Sequence, residues 1–253
     1  MINILITAGG TSEPIDNVRS ISNTATGRLG SLIADEFALE GDQNIRVFYV
    51  FAHNALRPKS KNITCIEIGS VAELQKTVTE LMDAYFIDAV IHSMAVSDYR
   101  VKSVTTPQRV AERFQNNEDT SIQSETELLN ALVETDVREE AGKISSQLGN
   151  PIVLLEQTPK ILPLFRENAP NAVIVGFKLL SEVSQNELID TAYRLLVKNG
   201  CNYVLANDSA RIHRDQHEGH LIDSNKRTQT FTTKQEIAKG IVKTVLKELR
   251  EKK

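Results

Sequence analysis

The stretch Ile2–Gly10, INILITAGG, decides the fold class of this 253-residue chain. It is a short, nearly continuous apolar run that ends in two glycines, which is typical of a buried parallel strand leading into a tight loop. Similar apolar runs follow at Ile45–Phe51 and Ala89–Met94, and an amphipathic helical pattern at Val71–Tyr85 lies between them. Strands that alternate with helices in this way predict a Rossmann-like three-layer α/β sandwich with a mostly parallel sheet.

The alternation is interrupted between Val101 and Gly149, where the sequence becomes polar and charged. We predict a flexible excursion from the sheet in this region, with a charged helical stretch at Glu125–Glu140. The alternation of strands and helices then returns with a strand at Ile152–Leu155 and a short helix for which Pro159 takes the favoured first position.

The last third of the chain continues the pattern and ends in a hairpin. Gln185–Asn199 has the apolar spacing of a helix, and His220–Asp223 and Thr228–Phe231 predict the two strands of a hairpin. Thr233 and Glu236 have the spacing of a capping box, which marks the start of the last helix.

Length, composition and charge restrict the class of protein. The length fits one large α/β domain over residues 1–253, and 41% of the residues are hydrophobic, enough for a core. The net charge of −4 offers no basic field for nucleic acid or an anionic membrane. Since the chain has no apolar run of membrane-spanning length and no signal-peptide pattern at its start, we expect a cytoplasmic protein without a membrane or nucleic-acid partner.

The cysteines and the late histidines do not suggest a metal site. Cys65 and Cys201 form no CxxC pair, and we interpret both as small buried apolar residues. His213, His217 and His220 are spaced by four and three residues without an accompanying cysteine, which is not the usual zinc pattern. We therefore expect these histidines in a surface loop before the hairpin, and the metal ligands stay unknown.

The loop after the first strand is the most informative part of the sequence. It reads TAGGTSEP at Thr7–Pro14 and VRSISNTATGRLG at Val18–Gly30. Ligands of α/β proteins bind at the carboxyl ends of parallel strands, where this loop begins. Gly9 and Gly10 let the backbone approach a ligand, and a helix that begins near Gly27 points its free N–H groups at an anion. The fit to the dinucleotide pattern GxGxxG is poor.

This loop closely resembles the signature of phosphopantothenate–cysteine ligases. Five further blocks follow in the order of that family: AVSDYR at Ala95–Arg100, GKISS at Gly142–Ser146, TPKIL at Thr158–Leu162, VGFK at Val175–Lys178 and LAND at Leu205–Asp208. The six blocks extend from the start of the chain to about Asp208. Because the signature begins at the first strand, the resemblance implies a stand-alone ligase, with the phosphopantothenoylcysteine decarboxylase of many bacterial relatives as a separate protein.

The resemblance also implies a reaction and its substrates. In the family, the carboxylate of 4′-phosphopantothenate attacks the α-phosphate of a nucleoside triphosphate, and L-cysteine then forms an amide on the way to coenzyme A. It implies CTP as co-substrate, with Mg²⁺. Ser145–Ser146 and Phe177–Lys178 resemble the eukaryotic pattern instead, so ATP remains an alternative. The resemblance further implies a homodimer, and the excursion Val101–Pro159 and the hairpin are our candidates for its contacts.

Asn23 and Lys143 are the candidate catalytic residues. Asn23 matches the asparagine that contacts the acyl intermediate, where its amide can donate to the carbonyl oxygen as charge develops. Lys143 matches the first lysine of a motif proposed to bind the triphosphate from a mobile flap. Without the resemblance, Asn23 reads as a turn or capping residue and Lys143 as a solvated lysine.

Sixteen further residues are candidates for binding substrate or nucleotide. They are Gly9, Gly10, Arg19, Ser93, Met94, Ala95, Asp98, Pro159, Lys160, Ile161, Leu162, Phe177, Lys178, Arg194, Lys198 and Asn207. Among them, Asp98, Arg194 and Lys198 match nucleotide-binding positions of the family. Arg19 could either clamp a phosphate or lock the loop to Asp16. Asp98 could bind a ribose or base, or act as a turn acid. Arg194 and Lys198 share one helix face and could hold phosphates or be solvated.

Two other functions stay open from the sequence. An NAD(P)-dependent oxidoreductase fits the fold, but the chain lacks GxGxxG and a clear Tyr-x-x-x-Lys pair. A non-catalytic nucleotide-binding regulator would have the phosphate site without Asn23 and Lys143, and both of these residues are present.

Overall fold

The computed structural model describes residues 1–40, 44–115, 124–138, 143–213 and 216–252. Its strands are β1 (Ile2–Ala8), β2 (Ser12–Pro14), β3 (Ser20–Ser22), β4 (Ile45–Ala52), β5 (Ile63–Ile68), β6 (Ala89–His92), β7 (Tyr99–Thr105), β8 (Ile152–Gln157), β9 (Val173–Leu180), β10 (Tyr203–Asp208), β11 (Ile212–His213), β12 (Gln216–Asp223) and β13 (Thr228–Thr233). Its α-helices are α1 (Arg28–Leu39), α2 (Val71–Ala84), α3 (Pro107–Gln115), α4 (Glu125–Glu134), α5 (Ile161–Asn168), α6 (Gln185–Asn199) and α7 (Lys234–Glu251).

The chain folds into two compact units. The first contains Met1–Thr11, Asn23–Val96 and Lys160–Lys253, and the second contains Ser12–Ser22 and Ser97–Pro159. The region that we predicted as an excursion therefore belongs to a unit with packing of its own. The expectation of a single domain over the whole chain stays a prediction, because two compact units can belong to one domain.

The first unit is built on a nine-stranded sheet in the order β11-β12-β10-β9-β6-β1-β4-β5, with β13 paired to β12. The six strands from β10 to β5 run parallel to one another, and β11, β12 and β13 add antiparallel pairs at one side. The predicted mostly parallel, Rossmann-like sheet is confirmed. The chain moves from β1 to β4 on one side and later returns to β6 on the other, so the strand order reverses between β1 and β6. A reversal of this kind opens a crevice at the carboxyl ends of the strands.

Helices cover both faces of this sheet and form two cores. One core includes Val78 of α2, Phe165 of α5 and Leu196 of α6, and the other includes Phe37 of α1 and Ile241 of α7. These side chains are almost fully removed from solvent. Burial of each stabilises the fold by about 1.5–3 kcal/mol before entropy is counted, so the three-layer arrangement follows from the apolar stripes of the helices.

The second unit has two antiparallel strand pairs and a smaller core of its own. β2 pairs with β3, and β7 pairs with β8. Val101, Val104, Val137 and Ile144 are buried together there, and Ile15 and Leu148 pack against them. The core thus joins the loop after β2 to the chain that follows residue 142.

Three predictions about elements of this region are wrong. Ile152–Leu155 forms a strand as expected, but β8 pairs antiparallel with β7 rather than joining the parallel sheet. The helix placed at Pro159 begins at Ile161, because Lys160 is still extended at φ −80° and ψ 121°. The charged helix ends at Glu134, where the Asp136 carboxylate accepts backbone N–H groups from Val104 and Arg138 in a turn.

Two segments covered by predictions from the sequence lie outside the described residues. The end of the predicted helix, residues 139–140, is one of them. The polar run that follows Gln115 is the other.

Several other predictions about elements are confirmed. α6 spans Gln185–Asn199 and ends at Gly200, whose φ is 61°. The capping box at the start of α7 and the hairpin of β12 and β13 are both present. Cys201 is buried as expected, whereas Cys65 is exposed because the edge strand β5 leaves that position uncovered. Within the described chain, no helix has both the length and the apolar character needed to cross a membrane.

Candidate active site

The first loop is fixed to the carboxyl ends of β1 and β6, at the reversal of strand order. Gly10 forms a parallel bridge with Ala95, beyond the last residues of both strands. The Ala95 N–H donates to the Gly9 carbonyl over 2.8 Å, and the Thr11 N–H donates to the Ala95 carbonyl over 3.1 Å. These bonds extend the pairing of the two strands into the crevice, so the loop has a defined position.

Asn23 is held at this place by two hydrogen bonds. Its backbone N–H donates to the Thr11 carbonyl over 3.1 Å, and its side-chain Nδ2 donates to the Ala95 carbonyl over 3.0 Å. A Cβ at Gly10 would lie 2.2 Å from the Asn23 carbonyl oxygen, so only glycine permits this approach. Because an amide nitrogen carries two hydrogens, the bond to Ala95 fixes the group and leaves one N–H to donate to a ligand.

A cavity of about 410 Å³ opens at the same edge of the sheet in the first unit. Residues from the start of α1 and from the ends of β6, β9 and β10 line it, together with residues of β11, β12 and α7. They are Thr24, Ala25, Thr26, Gly27, Arg28, Leu29, Gly30, Ser93, Met94, Ala95, Phe177, Leu179, Asn207, Ile212, His217 and Lys234. Of the predicted binding residues, Ser93, Met94, Ala95, Phe177 and Asn207 are brought together here.

The start of α1 gives the cavity an anion-binding wall. Gly27 is the N-cap residue, its φ of 68° is left-handed, and no side chain of the described residues caps the helix there. The first bond of the helix runs from the Ser31 N–H to the Gly27 carbonyl, so the N–H groups before Ser31 have no partner within the helix. The first turn carries no acidic residue. An uncapped helix N-terminus of this kind attracts phosphate or carboxylate groups.

Asn207 and His217 form a buried pair in the wall of the cavity. Asn207 Nδ2 lies 2.6 Å from His217 Nε2, and both residues are less than a tenth exposed. Burial, together with the positive charge of Lys234, lowers the pKa of His217 to about 4. The imidazole is therefore neutral near pH 7, its Nε2 accepts from Asn207, and its Nδ1 carries the hydrogen. This bond fixes the orientation of the Asn207 amide.

The structure corrects the predicted surface loop of histidines. His217 and His220 are buried on β12, where His217 is paired with Ile212 of β11 and His220 with Ala206 of β10. The side chain of His213 lies outside the described residues. Sequence reasoning missed His217 and Lys234 as cavity residues. The capping box placed Lys234 at a helix start, but no local pattern indicated that the start of α7 faces the crevice.

Other predicted residues of the first unit do not line this cavity. Phe177 and Leu179 line it, and since side chains alternate along a strand, Lys178 between them points to the opposite face of the sheet. Ile161 is buried in the core of that opposite face and Leu162 packs against it. Lys160, the N-cap residue of α5, is exposed.

Arg194 and Lys198 are also distant from the cavity of their own chain. α6 starts at the carboxyl edge of the sheet, where the Asp208 carboxylate accepts the N–H groups of Glu182 and Val183. It ends at the amino edge, where the Asn202 N–H donates to Ile174. Lys198 in the last turn lies about 20 Å along the helix axis from its start.

The remaining predicted residues belong to the second unit. Asp98 is exposed, and its carbonyl accepts the Thr158 N–H over 3.0 Å. Pro159 and Lys143 are exposed as well. Arg19 forms an ion pair with Asp16, with Nη2 2.5 Å from Oδ2, so the loop-locking alternative is the one present. The Arg19 side chain holds the pKa of Asp16 well below its usual range.

The described residues do not form a cage for a metal ion. No group of three or more His, Cys, Asp or Glu side chains lies together among them. Mg²⁺ bound to a nucleotide keeps several waters and uses only one or two carboxylates of the protein. The expectation of Mg²⁺ therefore rests on the family resemblance alone.

Fold and cavity together define a Rossmann-like α/β protein with a crevice at the reversal of strand order, lined by the uncapped start of α1. The chain belongs to the family of the DNA/pantothenate metabolism flavoprotein C-terminal domain, whose profile matches residues 1–140 and 131–249. The resemblance to ligases of pantothenate metabolism noted in the sequence is thus supported by an independent comparison.

Individual relatives agree with this family. The coenzyme A biosynthesis bifunctional protein CoaBC of Thermococcus kodakarensis is 29% identical over 241 residues, which cover 94% of this chain and 49% of that protein. The chain spans about half the length of the curated CoaBC relatives that it matches over most of its own length. The crystal structure of the DNA/pantothenate metabolism flavoprotein from Streptococcus pneumoniae is 34% identical, with a TM-score of 0.81, and covers 98% of this chain and 100% of that one.

A more distant structure shares the fold. It is a complex of a Cab2 variant with phosphopantothenate-cysteine, 18% identical with a TM-score of 0.67 over 99% of this chain and 87% of that one.

Proposed function

We propose that this chain is a phosphopantothenate–cysteine ligase of coenzyme A biosynthesis. The observation that carries the proposal is the Asn23 amide, fixed to Ala95 at the carboxyl ends of β1 and β6, where the uncapped start of α1 lines a cavity. Relatives named for coenzyme A biosynthesis support it, as does the Cab2 complex with phosphopantothenate-cysteine.

The proposed reaction has two steps. A carboxylate oxygen of 4′-phosphopantothenate attacks the α-phosphorus of the nucleoside triphosphate, and the bond to pyrophosphate breaks. The amine of L-cysteine then attacks the acyl carbon, the nucleoside monophosphate leaves with the bonding electrons, and the amine nitrogen loses a proton. Both steps develop negative charge on oxygen, so preorganised N–H donors accelerate them.

The residues of the chain supply such donors. The second N–H of Asn23 would donate to the acyl carbonyl oxygen as it becomes an oxyanion. The free N–H groups at the start of α1 and the Arg28 side chain would balance phosphate charge. Lys143 would bind the triphosphate, as the family resemblance implies.

Our proposal for the nucleotide is CTP, with ATP as the alternative. Cationic contacts to phosphate do not depend on the base, so a preference must come from groups that contact the base edge. The Asn207 amide, whose orientation His217 fixes, is a candidate for such a group. A site that pairs buried polar groups with one base rejects the other strongly, whereas size alone discriminates by about 10–200-fold. Comparison of kcat/KM for CTP and ATP tests this, and equal values would contradict it.

Arg194 and Lys198 enter the proposal through a second copy of the chain. Because both residues lie away from the cavity of their own chain, they would contact phosphates only in the cavity of a partner. This fits the homodimer that the family resemblance implies, with one copy completing the site of the other.

Pyrophosphate release with 4′-phosphopantothenate, L-cysteine and each triphosphate in turn tests the proposed function. We expect release that requires phosphopantothenate, together with formation of phosphopantothenoylcysteine. Nucleotide binding without pyrophosphate release would favour a regulator instead, and oxidation of NAD(P)H by a suitable substrate would favour an oxidoreductase.

A further inference from the structure

The Asp16 carboxylate connects two segments of the second unit that are far apart in sequence. Its side chain is only 1% exposed. Oδ1 accepts the N–H groups of Val18 over 2.9 Å and Arg19 over 2.8 Å, which fixes the turn between β2 and β3. Oδ2 accepts the Ile144 N–H over 3.1 Å, 128 residues further along the chain. One carboxylate therefore both shapes the first loop and holds the segment that contains Lys143.

Arg19 completes this connection from the other side. Its Nε donates to Asp16 over 3.1 Å, and its Nη2 donates to the Ile144 carbonyl over 3.0 Å. The ion pair thus binds both backbone polar groups of Ile144, the N–H through Asp16 and the carbonyl through Arg19. Two bonds in different directions fix the orientation of a residue as well as its position.

Apolar packing supports the same contact. The Ile144 side chain is 5% exposed and lies in the small core with Val101, Val104 and Val137. Ile15, next to Asp16, packs against this core. The segment after residue 142 is therefore held to the first loop by charge-assisted hydrogen bonds on the backbone and by burial of an aliphatic side chain.

We propose that Asp16 and Arg19 are positioning residues that hold Ile144 so that Lys143 is presented to the triphosphate. Consecutive Cα atoms are about 3.8 Å apart, so a fixed Ile144 fixes the root of the Lys143 side chain. The ammonium group stays exposed and able to reach a ligand. This proposal rests on the proposed ligase function and on the role of Lys143 in it.

We call the Asp16–Arg19 ion pair, with its two hydrogen bonds to the Ile144 backbone, the lock. Both of its charges remain in place at neutral pH. The low pKa of Asp16 keeps its carboxylate ionised throughout the neutral range. Arginine stays protonated there and offers a planar fork of donors, which lysine cannot replace. The lock is therefore independent of pH near neutrality, and the shape of the pH–rate profile does not depend on it.

A kinetic cycle with Asp16→Asn and Lys143→Ala tests the proposal. Asp16→Asn should raise KM for the triphosphate or lower kcat by about tenfold or more, since small misplacements of a positioned group are costly. In the Lys143→Ala background, Asp16→Asn should have no further effect on kcat/KM, because no ammonium remains to be positioned. Effects that multiply in the double variant would overturn the proposal.

Asp136→Asn is the matched control. Asp136 pairs with Arg138 and accepts the Val104 N–H over 3.0 Å in the same unit, but its carboxylate does not bind Ile144. This variant should lower stability while leaving the kinetic constants near those of the wild type. If Asp136→Asn reduced kcat/KM as much as Asp16→Asn, general loosening of the unit would account for both, and the proposal would be wrong.

Hydrogen exchange of the Ile144 amide gives a readout without activity. We expect faster exchange in Asp16→Asn than in the wild type. Unchanged exchange would show that Asp16 does not hold the Ile144 amide and would overturn the proposal. Should Asp16→Asn fail to fold, Arg19→Lys keeps the charge, removes the fork and should give the same kinetic pattern. A wild-type protein without ligase activity would refute the proposed function. An active Lys143→Ala variant would instead refute only the role of Lys143 and its positioning.

Discussion

At the scale of single residues, the position of Asn23 matters more than its chemical type. Many loops contain an asparagine, but here the Ala95 carbonyl orients the amide and Gly10 provides the space for it. A donor whose direction is set before the substrate binds costs little reorganisation in the transition state. The proposed role of Asn23 as a donor therefore depends on Ala95 and Gly10, neither of which has a reactive side chain.

Asn23→Asp should slow ligation while nucleotide binding survives. Aspartate keeps the size of the side chain but removes both N–H donors and adds a negative charge beside the developing oxyanion. Loss of one preorganised donor lowers the rate by about 10²–10³-fold. Single-turnover kinetics and a separate nucleotide titration measure the two effects.

Asn168→Asp is the control for this variant. The Asn168 Nδ2 makes a similar bond, to the Leu164 carbonyl over 2.9 Å, at an exposed position near the end of α5. Ligation by this variant should match the wild type. Normal ligation by Asn23→Asp would remove Asn23 from the mechanism.

His92 and His217, whose pKa values are lowered by burial, predict how stability depends on pH. Burial lowers the pKa of His92 to about 4, and His217 behaves in the same way. In the unfolded chain both groups bind a proton near pH 6.5, so the unfolded state takes up more protons below that pH. The free energy of unfolding should therefore fall as the pH decreases from about 6.5 to 4, by up to about 3 kcal/mol for the fully buried His92.

Chemical denaturation across that pH range measures the slope. His92→Asn should flatten the slope, because asparagine does not titrate in this range. A wild-type protein with constant stability between pH 6.5 and 4 would mean that these imidazoles are not neutral in the folded state.

At the scale of secondary-structure elements, the sequence predicted the parallel sheet because its strands carry their own signals. β4 was predicted to within one residue of its observed end, and α6 was predicted with its observed ends from its apolar spacing. In each case the signal is local: a run of apolar residues, a cap or a breaker. The sequence also placed the ligand site in the loop that leaves the first strand at its carboxyl end. The reversal of strand order between β1 and β6 is seen only in the structure.

The failures concern partners that lie far away in the sequence. β8 has the residues of a strand, but its pairing with β7 depends on contacts about fifty residues away. His217 was expected in a loop, but it is a buried residue of β12 that is paired with β11. Asp16 is a further example, because no local sequence pattern predicts its hydrogen bond to Ile144, 128 residues away. Sequence patterns report which element forms, and much less about what it packs against.

Gly10→Ala tests the close approach between the two ends of the first loop. The added methyl group would lie 2.2 Å from the Asn23 carbonyl oxygen and 2.9 Å from the Asn23 Cβ, so the Asn23 segment must move. Because a shift of about 1 Å can cost 10²-fold in rate, we expect a large loss of kcat with a smaller loss of thermal stability.

Gly69→Ala is the matched change outside the crevice, where the new methyl group would approach only the flexible end of Glu73, at 3.3 Å. Its activity should equal that of the wild type. If Gly10→Ala ligates as fast as this control, the position of Asn23 is not critical.

At the scale of the whole molecule, the separation of the basic residues from the cavity raises the question of how many copies make an active site. α6 carries Arg194 and Lys198 towards the amino edge of the sheet, and the cavity lies at the carboxyl edge. If both residues bind phosphates of the substrate, the phosphates must belong to the site of another copy. A homodimer of this kind has two equivalent sites, each made from both chains.

Mixing two inactive variants distinguishes this arrangement from a site within one chain. Asn23→Asp removes the donor of a site, and the double change Arg194→Ala and Lys198→Ala removes its basic residues. In a mixed dimer with shared sites, one site carries all the changes and the other has none, so one site is intact. Random exchange of subunits in an equal mixture should then restore about a quarter of the wild-type activity.

If each site uses one chain only, every site in the mixture keeps a change and activity stays at the level of the separate variants. Recovery of activity on mixing, measured by pyrophosphate release after exchange of subunits, therefore supports a shared site, and its absence would overturn that arrangement. If the Arg194→Ala and Lys198→Ala variant were active on its own, both residues would instead be solvated residues of a helix face.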